Sequence, residues 1–146
     1  MKEGEPLYFD TSALLPYYRE EPFSERIENF LRSLNPPVLI SDLTRVEFVS
    51  AVSRWVRMGE ITESQANLVE NAFFGDIRCG LFLCLSLKEF HYRQAEKWLS
   101  GRKTSLRALD ALHLACALFA RAELITCDTV LSSAASVLGV KCYQVS

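Results

Sequence analysis

The chain has 146 residues, 16 Lys and Arg against 18 Asp and Glu, a net charge of −2 and a hydrophobic share of 49%. That length suits one domain, residues 1–146, with a core large enough to fold without metal or disulfide staples. The near-neutral balance excludes a uniformly basic nucleic-acid coat, and no apolar run reaches the roughly 18 residues of a membrane span.

"PLYF" predicts a first short strand, followed by a brief helix from about Ser12 to Arg19. "EPFSERIENFLRSL" carries Phe23, Ile27, Phe30, Leu31 and Leu34 at helical spacing, and "NPP" stops it. "PVLIS" is the second strand. From Leu43 the residues Val46, Val49, Val52 and Val56 predict a helix whose apolar stripe runs to Met58-Gly59. "TESQ", Thr62 to Gln65, is a capping box that opens a further helix to about Phe74. These two helices form a predicted hairpin.

"LFLCLSL" is the third strand, and "LKEFHYRQAEKWLS" a helix ending near Gly101. "SLRALDALHLACALFARA" is apolar on most faces, so it predicts a long helix buried against a sheet. It leads into "ELITC", the fourth strand; "DTVLSSAASVLG" is the last helix and "VKCYQV" the last strand. Strands alternating with helices predict a parallel sheet covered on both faces, with ligands bound beyond the carboxyl ends of its strands.

Four acids are predicted at that edge. Asp10 follows the first strand and Asp128 the fourth, Glu47 lies early in the helix after the second strand, and Asp110 lies near the start of the long helix. Asp10 and Asp128 also suit helix caps, and Thr44-x-x-Glu47 has capping-box spacing. Asp110, one or two turns inside an apolar helix, has no such structural excuse. Two carboxylates about 4 Å apart repel by roughly 4 kcal/mol at an effective dielectric of 20, and a divalent cation removes that cost. An all-oxygen donor set points to Mg²⁺ or Mn²⁺ rather than zinc.

"LYFDTSALLPYY", "ISDLTRVEFVSAV", "LRALDALHLACAL" and "LITCDTVL", in that order, resemble the four acidic blocks of the PIN domain, especially those of VapC toxins from prokaryotic toxin and antitoxin pairs. The resemblance implies an α/β/α sandwich around a central parallel, Rossmann-like sheet. It also implies an Mg²⁺- or Mn²⁺-dependent endoribonuclease that hydrolyses RNA without a protein nucleophile. The family's acidic positions fall on Asp10, Glu47, Asp110 and Asp128 as catalytic and metal-binding residues. Its hydroxyl position falls on Thr11 or Ser12, and Ser12 is preferred as the helper that orients a carboxylate or water. Similar toxins are usually homodimers silenced by a small antitoxin protein.

Arg102, Lys103 and Arg107 form a basic loop just before Asp110 and are candidates for RNA contact, a solvated loop being the plain alternative. His113, three residues after Asp110, reads as a packed histidine rather than a proton shuttle or ligand. Trp55 and Trp98 read as packing residues. The five cysteines, without a CxxC pair, read as buried free thiols. The polar opening "MKEGEP" shows no secretory signal, so the expected location is the cytoplasm.

Three rivals remain. A haloacid-dehalogenase-type phosphatase resembles D-x-D after its first strand, but Ser12 stands in the second place. A PIN-fold RNA-processing nuclease without an antitoxin is the second. A non-catalytic RNA-binding or assembly module is the third, and it predicts a missing acid.

Overall fold

The computed structural model describes residues 5–19, 24–32 and 38–146. The predicted "NPP" stop, Phe23 and Leu34 lie outside them. In chain order the elements are β1 (Leu7–Phe9), α1 (Thr11–Tyr18), α2 (Ser24–Arg32), β2 (Val38–Ser41), α3 (Asp42–Arg57) and α4 (Glu63–Arg78). There follow β3 (Phe82–Leu85), α5 (Glu89–Gly101), α6 (Ala108–Phe119), β4 (Glu123–Thr126), α7 (Thr129–Leu138) and β5 (Cys142–Gln144).

The strands form one sheet in the order β3-β2-β1-β4-β5, and every pairing is parallel. Chain connections run outward to both sides of β1, so the sheet has its switch point there. Alternation along the strands sorts the helices into two layers. Leu7, Phe9, Val38, Ile40 and Ile125 point into one core with Leu14, Ile27, Phe48, Val52 and Phe73 from α1 to α4. Tyr8, Leu39 and Leu124 point into the other, with Ala95, Leu114 and Leu131 from α5 to α7. This is the expected α/β/α sandwich.

Several local readings need correction. The valine stripe of α3 is only partly its buried face: Val52 is buried and Val56 packs against the core, but Val46 is 71% exposed, and Thr44, Phe48 and Trp55 turn inward instead. Phe48 wins because it stacks on Phe73 of α4, ring centroids 4.0 Å apart, with Tyr18 edge-on to both. Helix α4 runs a turn past Phe74, to Arg78. Its Thr62 capping box is present, with Thr62 N–H donating to Gln65 Oε1 at 2.8 Å and Gln65 N–H to Thr62 Oγ1 at 3.1 Å. All five cysteines are free, but only Cys116 is buried and Cys79 is exposed. Loops and edge strands, rather than the core, take the others.

Helix α1 is pinned to the α3–α4 hairpin at its far end. Tyr18 donates to Asp76 Oδ2 at 2.5 Å, and Arg19 bonds Glu60 at 2.9 Å while lying over the Trp55 ring. These contacts fix the helix that opens with the first acid. No helix among the described residues is long and apolar enough to cross a membrane.

Candidate active site

The carboxyl edge at the switch point gathers the predicted acids from four elements. Asp10 directly follows β1 and is 4% exposed. Its Oδ1 accepts from Ser12 Oγ at 2.8 Å and from Ala13 N–H at 3.1 Å, and its Oδ2 accepts from Thr126 Oγ1 at 2.8 Å. Asp10 is therefore also the N-cap of α1, as its place in the sequence allowed. Ser12 does orient the carboxylate. Burial nevertheless dominates, and it pushes the Asp10 carboxyl up to about 6 against the pull of His113 and its three donors.

Glu47 stands in the second turn of α3. The capping-box alternative for it fails: Ser41 N–H donates to Thr44 Oγ1 instead, at 3.2 Å. Glu47 reaches across to the sheet edge, where its Oε1 accepts from Thr11 Oγ1 at 2.7 Å and from His113 Nε2. Burial raises the Glu47 carboxyl, but the hydrogen bond and charge of His113, with Thr11, outweigh it and hold the group below its ordinary range.

Asp110 is the third residue of α6, in its first turn. The sequence placed it deeper, but the helix begins only at Ala108, with Arg107 as its cap. The helix N-terminus is thus part of its structural explanation. Its carboxyl is raised, first by burial and then by repulsion from Asp128 and Glu47, which exceed the opposing effects of His113 and Arg107. That repulsion places Asp110 within the fields of both Glu47 and Asp128. Asp128 caps α7, its Oδ1 accepting from Val130 N–H at 2.8 Å and Leu131 N–H at 3.3 Å.

Three participants escaped the sequence reading. Thr126, fully buried, links Asp10 to the fourth acid, because its Oγ1 also accepts from Asp128 N–H at 3.0 Å. Tyr8, fully buried in β1, places its hydroxyl 2.7 Å from His113 Nδ1 and 2.8 Å from Ser41 Oγ. His113 is packed, as expected, but it is packed into hydrogen bonds at both nitrogens. A tyrosine amid the apolar residues of a central strand was the available signal, since a buried phenol needs a partner.

The donor chemistry fits a hard divalent cation. All four acids offer oxygen only, and the repulsion of Asp110 by Asp128 and Glu47 is what a cation would relieve. The side chains of Asp10, Glu47 and Asp128 are turned toward neighbouring hydroxyls, amides and His113, and no three His, Cys, Asp or Glu among the described residues converge into a finished metal-holding group. Beside Glu47 and Thr11 opens a cleft of 580 Å³, bounded further by Leu15, Arg54, Arg57 and Leu109. Arg102, Lys103 and Arg107 are all exposed on the loop that leads into α6.

The model of the PIN domain matches residues 7–137. No curated protein matches this chain. Among solved structures, FitAcB from Neisseria gonorrhoeae superposes with a TM-score of 0.74 at 22% identity, over 94% of this chain and 96% of that one. VapC20 from Mycobacterium tuberculosis, described as a sarcin-ricin loop cleaving toxin, gives 0.70 at 17% identity, over 88% and 94%. A toxin-antitoxin complex from Klebsiella pneumoniae gives 0.63 at 20% identity, over 84% and 87%. These likenesses concern the fold.

Proposed function

We propose that this chain, which belongs to the PIN domain family, is a metal-dependent endoribonuclease and the toxin of a VapBC-type toxin and antitoxin pair. The observation that carries the reading is the arrival of Asp10, Glu47, Asp110 and Asp128, from four separated segments, at the switch-point edge of one parallel sheet. The likeness to VapC20 supports RNA as substrate, and the likeness to a toxin-antitoxin complex supports a small protein partner. A homodimer in the cytoplasm completes the proposal.

Asp10, Asp110 and Asp128 would hold an Mg²⁺ or Mn²⁺ ion, with Glu47 contributing an oxygen or accepting a proton. Such an ion supplies Lewis acidity to a scissile phosphodiester and to the water that attacks it. The chain's own residues do the rest. Ser12 and Thr126 fix both oxygens of Asp10, so that carboxylate cannot swing away from the edge. Thr11 and His113 hold Glu47. Arg102, Lys103 and Arg107 offer cations to the phosphates on either side of the cut, and the cleft under Arg54 and Arg57 offers the strand a path. No side chain needs to act as a nucleophile.

A second reading, a non-catalytic RNA-binding module, is favoured by the engagement of Glu47 with His113 and Thr11. Incubating purified protein with total RNA in Mg²⁺, Mn²⁺ or EDTA, and mapping new ends, separates the two. Cleavage that needs the metal and is lost in Asp110→Asn, with the melting curve of the fold unchanged, establishes the nuclease. RNA retained but uncut by the wild type establishes the binding module. Asp10 is unsuited to this control because its charge also affects stability.

A further inference from the structure

Behind Glu47 runs a continuous line of hydrogen bonds through the sheet: Ser41 Oγ to Tyr8 hydroxyl at 2.8 Å, Tyr8 hydroxyl to His113 Nδ1 at 2.7 Å, and His113 Nε2 to Glu47 Oε1. Its members come from β2, β1, α6 and α3, so it ties together both layers and two strands. Ser41 and Tyr8 are fully buried and His113 is 2% exposed. Only Glu47, 25% exposed at its side chain, reaches the edge.

The carboxylate fixes the proton at one end of the line. An ionised carboxylate only accepts, so Nε2 of His113 carries a proton. The Tyr8 hydroxyl, able both to donate and to accept, meets Nδ1 on one side and Ser41 Oγ on the other. Every polar atom in the line has a partner. Thr11 supplies a second donor to the same Oε1 at 2.7 Å. Two donors from different elements therefore saturate one oxygen of Glu47, and Oε2 is bound by neither.

We infer that Tyr8 and His113 are positioning residues whose task is to clamp Oε1 of Glu47 and so present Oε2 to a divalent cation at the sheet edge. A buried histidine needs a partner at each nitrogen, and here one of the two is a carboxylate that reaches the sheet edge. A buried polar line of this length is costly unless fully satisfied, and here it terminates on an acid at the candidate site. The role assigned to Glu47 rests on the proposed metal dependence, so the test reads cation affinity rather than RNA cleavage.

Binding of Mn²⁺ to the purified chain is measured by titration calorimetry or by the free-ion electron paramagnetic resonance signal. Loss of an outer hydrogen-bond partner typically weakens a metal site about 10- to 100-fold. His113→Leu is expected to weaken Mn²⁺ by that factor, while His113→Gln, whose amide nitrogen replaces the Nε2 donor, recovers most of it. Tyr8→Phe, which keeps shape and loses only the hydroxyl, is expected to weaken Mn²⁺ in the same direction, and it serves if His113→Leu does not fold. In a Glu47→Gln background both substitutions are expected to lose their effect, because they act through that carboxylate. Equal weakening in both backgrounds, unchanged affinity in both His113→Leu and Tyr8→Phe, or no Mn²⁺ binding by the wild type overturns the inference. A wild type that binds Mn²⁺ with this coupling yet cuts no RNA leaves the clamp standing and defeats the nuclease reading.

Discussion

Thr126 holds Asp10 from the neighbouring strand: its Oγ1 donates to Asp10 Oδ2 at 2.8 Å, in a position that leaves the threonine with no exposure to solvent. The same oxygen accepts Asp128 N–H at 3.0 Å, so one hydroxyl sets the first acid against the start of the last block. Thr126→Val keeps the shape and deletes the donor. A hydrogen bond to a charged group is worth about 1.5–3 kcal/mol, and its loss here leaves Asp10 Oδ2 with the Ser12 hydroxyl at 3.0 Å. Urea unfolding is expected to show a loss of that size, with Thr126→Ser close to wild type. Equal stability of the valine and serine variants would count against the link.

Asp10 is a buried charge whose cost should be visible. Its folded pKa of about 6 lies above the unfolded value of 3.8, so between them the native state binds more protons than the unfolded one. Its contribution to stability is therefore greatest at acid pH and is lost as pH rises through about 6. A shift of about 2 units corresponds to at most about 3 kcal/mol. Asp10→Asn is expected to melt higher than the wild type in EDTA above neutral pH, with the difference shrinking toward pH 4. Added Mg²⁺ should then raise the wild type and not the variant, by mass action.

His91 makes the opposite pH prediction. It is 5% exposed, lies against Phe90 and Phe119, and accepts Lys88 N–H through Nδ1 at 2.9 Å. Burial, assisted by the charge of Lys88, holds its pKa below the ordinary 6.5. The unfolded chain thus takes up a proton that the folded chain refuses, and stability falls as pH drops through about 6.5. Comparing denaturation midpoints near pH 7.5 and near pH 5.5 should show a smaller acid loss in His91→Phe than in the wild type. An identical loss in both would assign the acid sensitivity elsewhere.

The basic loop has its own signature. Arg102, Lys103 and Arg107 are exposed, so replacing them with Gln should leave the melting temperature almost unchanged. If each contacts an RNA phosphate, the slope of log affinity against log salt should flatten by about 0.7 per residue on single-stranded RNA. A weakened affinity with an unchanged slope would mean that these side chains do not touch the phosphates.

Much of the fold was legible because it rests on patterns that neighbours do not alter. Leu7-Tyr8-Phe9 and Val38-Leu39-Ile40 are apolar on both faces, as strands buried from both sides must be. What the sequence concealed depended on partners far along the chain. Val46 reads as core by spacing, yet the ring stack of Phe48 on Phe73 decides which way α3 turns. Asp110 reads as an acid deep in a helix because "SLR" continues the apolar rhythm, whereas the helix starts only after Arg107. The four acids could be placed at one edge from topology alone. Which oxygen of each is held, and by whom, could not, since Thr126 and Ser41 carry no signal as hydroxyls until the strands are paired, and Tyr8 signals a need for a partner without naming it.

The order of strands also sets a schedule. Asp10 leaves the ribosome well before β4, which carries Thr126, leads to Asp128 and inserts directly beside β1. At about 5–20 residues per second, several seconds separate the first acid from the last. Throughout that interval the nascent chain holds Asp10 without Thr126 to fix it and without α6 to bring Asp110 and His113. Whatever chemistry this rim performs is therefore withheld until β4 and the start of α7 have been made and paired with β1.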